Sequence, residues 1–485
     1  MVASRAMSTK AIISILVAAA AVPMVLAQFA QTPPVPGSVA DVYGKTCAAC
    51  HGPTLGGGRA QSLVDDRWSF GSDDKSIAES IREGRADGAM PAFKATLSES
   101  QILGLVTFIH EEGAKARLAG TPPQGPQPGA VVKSEKQTFK IELVADGLDT
   151  PWGMAFLPDG RMIVTERPGR LRFLTAGQPL TESVTGLPKV WVQQDAGLMD
   201  VALHPDYAKN GWIYLSYVEA GTTAGASMTV IARGRVRDGK WIDQEILYKA
   251  PPELYWVDNT HFGSRFLFEK DGHLFYSIGD RGHQDDAQNL ALPNGKIHRI
   301  QDDGQIPKDN PFVGKAGALG SIWSYGNRNV QGLAWHPITG DLWATEHGPR
   351  GGDELNRIER GHNYGWPVIT YGINYDGTPI TDKTEAPGMD QPVVQWTPSI
   401  ATCAIAFYTG DKLPGWKNDL FLTALGFQEL RRLVVEGNKV VHQELLIKNS
   451  GRVRDVLTGP DGYLYVVFNN PGRIVRLVPA DAPAR

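Results

Sequence analysis

Six stretches of this chain repeat one pattern: an apolar run, a polar turn carrying Gly or Asp, and a second apolar run. They are "GMAFLPDGRMIVTERPGRLRFL", "LMDVALHPDYAKNGWIYLSYV", "SRFLFEKDGHLFYSIGD", "GLAWHPITGDLWATEHGP", "AIAFYTGDKLPGWKNDLFLTAL" and "VRDVLTGPDGYLYVVFNN". Their turns fall near residues 159, 206, 271, 340, 411 and 461, and each stretch reads as an inner β-hairpin. One supersecondary unit repeated at this spacing must bury its apolar face against its neighbours, and a ring of six blades does so. "FKIELVADGL" at 139–148 is expected to add a strand to the last blade, closing the ring and removing its open edges. A two-sheet sandwich is the alternative, which the repeats disfavour. The 54 glycines and 33 prolines in a 42% apolar chain suit many short strands joined by tight turns.

At 485 residues the chain exceeds one ordinary domain, and the N-terminal part lacks the hairpin pattern. Residues 1–27 carry Arg5 and Lys10, the apolar run "AIISILVAAAAVPMVLA" and a small-residue site ending at Ala27. This reads as a cleaved signal peptide rather than an anchor, because the run is barely long enough to span and Pro23 interrupts it. A periplasmic protein with no stable membrane span after cleavage is expected. The net charge of −4 and the absence of basic runs exclude a nucleic-acid partner.

"KTCAACHGP" places Cys47, Cys50 and His51 within five positions, and only one other cysteine, Cys403, exists. Zinc would lack ligands, and no βα pattern surrounds the pair as in a redox-active C-x-x-C. C-x-x-C-H is the spacing of covalent haem c attachment, with the adjacent imidazole placed to ligate iron. The thioether for the opposite axial position is Met90 in "GAMPAF", 39 residues after His51. The helix "LSESQILGLVTFIHEEGAKA" follows, with Ser98 and Gln101 as a capping box and Ile102, Leu105, Val106 and Ile109 on one apolar face. Residues 37–116 resemble a class I cytochrome c. Residues 117–137 are rich in Pro and Gly and read as an extended connector whose reach lets haem and propeller approach.

Residues 138–480 form the propeller, whose ligands are expected where blade-edge loops converge: "WVQQDAG", "DNTHFGSR", "GDRGHQDD", "SYGNRNVQG", "TEHGPRGGDE" and "NSGRVRD". Several cations and histidines at equivalent blade edges, His261, Arg328, His347, Arg452 and Arg454 among them, point to an anionic ligand. The motifs "SYGNRNVQGLAWHP", "TEHGPRGGDELN", "HNYGWPVITYGINYDG" and "GRVRDVLTGPDGYLYV" are similar to the soluble aldose dehydrogenases that use pyrroloquinoline quinone (PQQ) with calcium. The chain is thus expected to be an all-β six-bladed β-propeller with a small N-terminal all-α cytochrome c domain.

The resemblance implies roles for individual residues. His261 is the general base that takes the proton from the sugar C1 hydroxyl, and Arg328, with Asn329 beside it, steadies charge on the quinone oxygens. Arg452 and Arg454 pair with PQQ carboxylates, and Gln194, or else Asp195, contacts the cofactor. Tyr375, Ala424, Leu425 and Gly426 line it. The carbonyls of Gly348 and Pro349 hold one calcium, while Glu354 and the Tyr364 carbonyl hold a second, structural one. Where many relatives carry a lysine this chain has Gly426, so either Arg431 or Arg432 reaches in or the contact is absent. Asp258 is expected to orient the His261 ring. His204, His273, His298, His336 and His442 read as structural, and Cys403 as a small buried residue.

The resemblance implies a periplasmic enzyme that oxidises an aldose to its lactone and passes electrons through its own haem c to a downstream acceptor. A lactone-hydrolysing calcium propeller, or a non-catalytic sugar- or partner-binding propeller fused to an electron-transfer cytochrome, are the alternatives.

Overall fold

The computed structural model describes residues 34–65, 67–85, 89–117 and 124–481; the signal-peptide reading lies outside them. Four helices come first: α1 (Val39–Thr46), α2 (Ala48–His51), α3 (Asp74–Glu83) and α4 (Glu99–Arg117). Ser38 and Asp73 cap α1 and α3, their side-chain oxygens accepting from Asp41 N and Ser76 N. The expected capping box at α4 is present: Ser98 N donates to Gln101 Oε1 at 2.9 Å, and Gln101 N to Ser98 Oγ at 3.2 Å. Ile102, Leu105, Val106 and Ile109 of α4 pack with Val39, Tyr43, Ile77 and Ile81 in one small core. Among the described residues no helix is long and apolar enough to cross a membrane.

The rest is a six-bladed propeller. Blade 1 comprises Pro151–Phe156, Met162–Glu166 and Arg170–Leu174, and blade 2 runs from Leu198–Leu203 to Lys240–Lys249. Blades 3, 4 and 5 begin at Phe266–Phe268, Val330–Trp335 and Thr402–Phe407. Blade 6 is built from Arg452–Thr458, Leu464–Asn470 and Gly472–Pro479, completed by Thr138–Asp146, which pairs antiparallel with Gly472–Pro479. A strand from one end of the propeller sequence therefore closes the ring against strands from the other, as the sequence indicates. All six hairpin turns fall where the repeats place them.

Each blade alternates its side chains between its two neighbours, so apolar clusters lie between successive blades all round the ring. At the axis the inner strands come too close for side chains: a β-carbon at Gly153 would lie 2.3 Å from Asp200 Oδ1, and one at Gly332 would lie 2.5 Å from Cys403 O. Buried charges tie the blades there. Arg265 Nη1 of blade 3 reaches Asp455 Oδ1 of blade 6 at 3.1 Å and Asp200 Oδ1 of blade 2 at 3.3 Å. The same carboxylates accept from Phe266 N and Met154 N, so the triad fixes how blades 1, 2, 3 and 6 meet.

The connector is held on the propeller rather than left free. From residue 124 it is packed on the propeller: Gly125 N donates to Asn449 O at 3.0 Å, Ser450 Oγ to Pro126 O at 2.8 Å, and Val131–Lys133 becomes the outermost strand of blade 6. Backbone pairing with an otherwise open edge holds the extended conformation that its Pro and Gly content suggests.

Candidate functional site

The cysteine motif sits at the junction of α1 and α2. His51 Nδ1 lies 3.0 Å from the carbonyl of Gln61, an acceptor only, so Nδ1 carries the proton and Nε2 keeps its lone pair. That is the tautomer a metal-ligating histidine takes. Cys47, His51 and Met90 line one cavity of about 360 Å³ whose walls include Tyr43, Trp68 and Ile109. Burial, and then the neighbouring Cys50, push the Cys47 thiol up to about 11, the reverse of the depressed thiol of a reactive C-x-x-C. A large apolar cavity holding two thiols at its edge, one imidazole and one thioether fits a covalently attached haem.

On the propeller, His261 precedes the first strand of blade 3 and Asp280 follows the second. Ser264 N donates to Ser277 O at 2.7 Å, so the hairpin carries both residues past its same end. His261 Nδ1 and Asp280 Oδ1 are 2.6 Å apart. Asp280 is buried and also accepts from Trp366 Nε1 at 2.8 Å and Gly282 N at 3.0 Å. Burial alone would raise its pKa; the hydrogen bond and charge of His261, with the charge of Arg328, outweigh that and hold the carboxyl below its usual range. The other ring nitrogen, His261 Nε2, faces Arg328 Nη2 at 3.1 Å. A guanidinium only donates, so Nε2 accepts and Nδ1–H points to Asp280. His261 itself has φ +51°, a left-handed conformation uncommon for a side-chain-bearing residue and held here by its surroundings.

Arg328 reaches four groups. Nη1 donates to the carbonyls of His347 (3.0 Å) and Gly348 (2.8 Å), while Nη2 lies near His261 and 3.5 Å from the Tyr375 hydroxyl. Asn329 is turned inward: its Oδ1 accepts from Gly263 N and Gln331 Nε2, both at 3.1 Å, and so braces the His261 loop. Arg452 and Arg454 line a cleft of about 410 Å³ with Asp149, Arg167, Asp195 and Asn469. Burial first, and then the Arg454 charge, lower the Arg452 pKa, and Arg454 Nε is buried without a hydrogen-bond partner among the described residues. Between the two arginine groups lies His347, pushed well below its ordinary pKa by burial and then by Arg454 and Arg328, and therefore neutral. Cations this close, with a buried donor unspent, suit an anionic ligand.

Beside Arg328 a second carboxyl pair is assembled. Glu346 and Glu354 are directly opposed on adjacent strands of blade 4 and face a small cavity, about 10 Å³, that Tyr364 and Gly348 also line. Burial pushes Glu346 up to about 7; burial and then Glu346 push Glu354 well above its usual value. Asn327, Asn356 and the Arg328 amide already donate to Glu346, so Glu354 is the carboxyl better placed to offer an oxygen to a hard cation in this cavity. At Gly348 and Pro349 the oxygen ligands on offer are main-chain carbonyls, and the neighbouring carboxylate Asp353 is spent on Gly348 N (2.8 Å), Ser399 Oγ (2.7 Å) and Thr402 N (2.9 Å). Carbonyls alone fit a cation whose remaining ligands come from a bound anion.

The family model described as Glucose / Sorbosone dehydrogenase matches residues 148–476. The chain belongs to this family. The model described as Cytochrome C oxidase, cbb3-type, subunit III matches residues 36–109, and the helical part is a cytochrome c domain. Aldose sugar dehydrogenase YliI of Escherichia coli (strain K12) is 43% identical over 349 residues, covering 70% of this chain and 93% of that protein. The soluble aldose sugar dehydrogenase of E. coli in its apo form matches with a TM-score of 0.67 at 40% identity, over 70% of this chain and 99% of that one. The PQQ-bound aldose sugar dehydrogenase from Streptomyces coelicolor matches with a TM-score of 0.59 at 27% identity, over 70% and 98%.

Within this glucose/sorbosone dehydrogenase, several sequence expectations need revision. The residue that orients His261 is Asp280; Asp258 is exposed and lies instead 3.4 Å from His283 Nε2. Neither arginine substitutes for the lysine at Gly426. Arg432 is buried among Asp419 (2.7 Å), Glu444 (2.6 Å) and Glu135 (3.3 Å), and Arg431 pairs with Glu429 (2.7 Å). Of the candidates at 194 and 195, Asp195 lines the arginine cleft, while the exposed Gln194 has its carbonyl bound by Arg167. Ala424 and Leu425 are buried at the end of a blade 5 strand, and the Leu425 carbonyl is 3.5 Å from Arg452 Nη1. His298 is a buried structural residue, bonded to Ser321 Oγ and Pro293 O. Arg167 is a cleft residue the sequence reading missed. "TERPG" at 165–169 parallels "TEHGP" at 345–349, and that internal match places Arg167 at the blade 1 position equivalent to His347.

Proposed function

We propose that this protein is a periplasmic quinohaemoprotein that uses PQQ and calcium to oxidise an aldose to its lactone and delivers the electrons through its own haem c to a downstream one-electron acceptor. The observation that carries the reading is the Asp280–His261–Arg328 line beside the arginine cleft. Arg452, Arg454 and Arg167 would hold the carboxylates of the cofactor; the Gly348 and Pro349 carbonyls would share its calcium; Glu354, with the Tyr364 carbonyl, would take a second calcium. When bound, PQQ supplies a two-electron hydride acceptor.

The chain's own groups do the rest. His261 Nε2, the ring nitrogen left as acceptor because Nδ1–H is given to Asp280, takes the proton from the sugar C1 hydroxyl. Asp280 steadies the imidazolium that results, and Arg328, held by two backbone carbonyls, is a fixed positive charge where negative charge develops. Cys47 and Cys50 would fasten the haem, and His51 and Met90 would offer its iron an imidazole and a thioether.

The test is a titration of metal-free protein with PQQ, followed by absorbance and calorimetry, with and without calcium. Binding that requires calcium, and weakens roughly 10- to 100-fold in Arg454→Ala as a charge-assisted bond is lost, is expected. Lactone hydrolysis by calcium-loaded protein with no quinone bound would contradict it.

A further inference from the structure

The helical domain touches the propeller through one face of α4, joined by Val39 of α1 and Asp74 of α3. Gly104, Thr107 and Glu111 point outward, two residues on from Ile102, Leu105 and Ile109, which face the domain's own core; a two-residue step turns a helix by about 200°. Leu105 and Ile109 also line the haem cavity. One helix, about 10 Å across with its side chains, thus separates that cavity from whatever lies beyond.

Beyond it lies the loop that follows Gly348 and Pro349. Arg350 of this loop makes a two-toothed ion pair with Glu111, Nη2 to Oε2 at 2.5 Å and Nε to Oε1 at 3.2 Å, and the pair is largely shielded, with side chains 23% and 12% exposed. Arg350 and Ile373 exchange backbone hydrogen bonds of 3.1 and 2.9 Å, and Ile373 joins the apolar core of the helical domain. Thr107 Oγ1 donates to Tyr371 O at 3.3 Å, Val39 N to Gly377 O at 2.9 Å, and Gln395 Nε2 to Asp74 Oδ2 at 2.8 Å. Gly104 is needed at the seam: a β-carbon there would meet Val39 Cγ1 at 2.5 Å and Ile373 Cγ2 at 3.4 Å. The segment that α4 touches also carries Tyr375, whose hydroxyl is 3.5 Å from Arg328.

We propose that the haem domain works docked rather than swinging on its connector, with the outer face of α4 clamped by Glu111–Arg350 onto the 348–353 and 371–377 segments as the electron-transfer contact. This rests on the cofactor reading above. Oxidation of one sugar releases two electrons and two protons; each electron reduces one ferric haem to ferrous, the haem being reoxidised by a one-electron acceptor in between, and the protons pass to solvent. A fixed wall one helix thick removes the need for an encounter step.

The experiment uses the full-length, haem-loaded protein and three variants: Glu111→Arg, Arg350→Glu and the double reversal. Small-angle scattering of the oxidised proteins without PQQ reads docking alone. Stopped-flow haem reduction by sugar, with PQQ and calcium bound, reads transfer as a function of viscosity. The wild type is expected to scatter as one compact body and to reduce its haem at a viscosity-independent rate. Glu111→Arg should expand it and slow transfer by roughly tenfold or more, the contact becoming a tethered encounter, while the double reversal recovers both. An expanded wild type, a wild-type rate that falls with viscosity, or unchanged transfer in Glu111→Arg overturns the proposal. Compact scattering that depends on the ion pair, with no sugar-driven haem reduction in any protein, would remove the cofactor reading while leaving the docked contact standing.

Discussion

At the scale of single residues, the site turns on which atom of His261 carries the proton. Asp280 holds Nδ1–H, and Arg328 stands at Nε2. In Asp280→Asn the amide can donate to Nδ1, which moves the ring proton to Nε2, against Arg328. Sugar oxidation should fall by on the order of 10³- to 10⁴-fold with binding of PQQ little changed, the size of loss seen when the orienting carboxylate of a catalytic histidine becomes an amide. Stability offers an independent readout. The folded pKa of Asp280 is lowered, so near pH 4 the unfolded chain binds more protons than the native one, and this contribution is present above the ordinary aspartate pKa and lost as pH falls through the folded value. Thermal melts should therefore show wild type well above Asp280→Asn at pH 6, with the gap closing on acidification below about pH 4. His261 and Arg328 are legible in the sequence because each lies within a distinctive motif. Asp280 is 19 residues away, and the nearer Asp258 competes for the role. Hairpin register resolves the choice: Phe266 pairs with Tyr276 and Phe268 with Leu274, and counting outward brings position 261 opposite 281, one place from Asp280.

At the scale of elements, six hairpins were readable because each alternates apolar residues about a turn, a local property of the chain. What stayed hidden was long-range. The connector's composition says nothing of the open edge of blade 6 that captures Val131–Lys133, and the triad of Asp200, Arg265 and Asp455 joins residues up to 255 positions apart. Two glycines test how tightly the inner strands meet. Alanine at Gly332 would press its β-carbon to 2.5 Å from both Cys403 O and Thr345 Oγ1. Chemical denaturation should show Gly332→Ala less stable by about 1–3 kcal/mol, whereas Gly340→Ala, where a β-carbon meets nothing within 4 Å, should lose less even though its φ of +76° carries its own strain. Equal losses would mean that blade packing at the axis is looser than these distances indicate.

At the scale of the whole molecule, two domains divide the work: the propeller gathers arginines in a cleft and holds the His261–Arg328 pair, and the helical domain carries a cavity of about 360 Å³ behind α4. The division predicts separable losses. Cys47→Ser with Cys50→Ser should abolish haem attachment, seen as loss of covalent haem stain, while sugar oxidation with a soluble artificial acceptor persists. Removing calcium should do the reverse, leaving the haem spectrum intact and abolishing PQQ binding. The central claim, that one chain oxidises sugar and captures the electrons itself, is tested most directly by the visible spectrum of the haem-loaded protein with calcium and PQQ, recorded before and after adding an aldose. The account predicts that the haem bands shift to the reduced form only when sugar and PQQ are present together, at a rate independent of protein concentration. A haem that stays oxidised while PQQ is reduced by the sugar would contradict it.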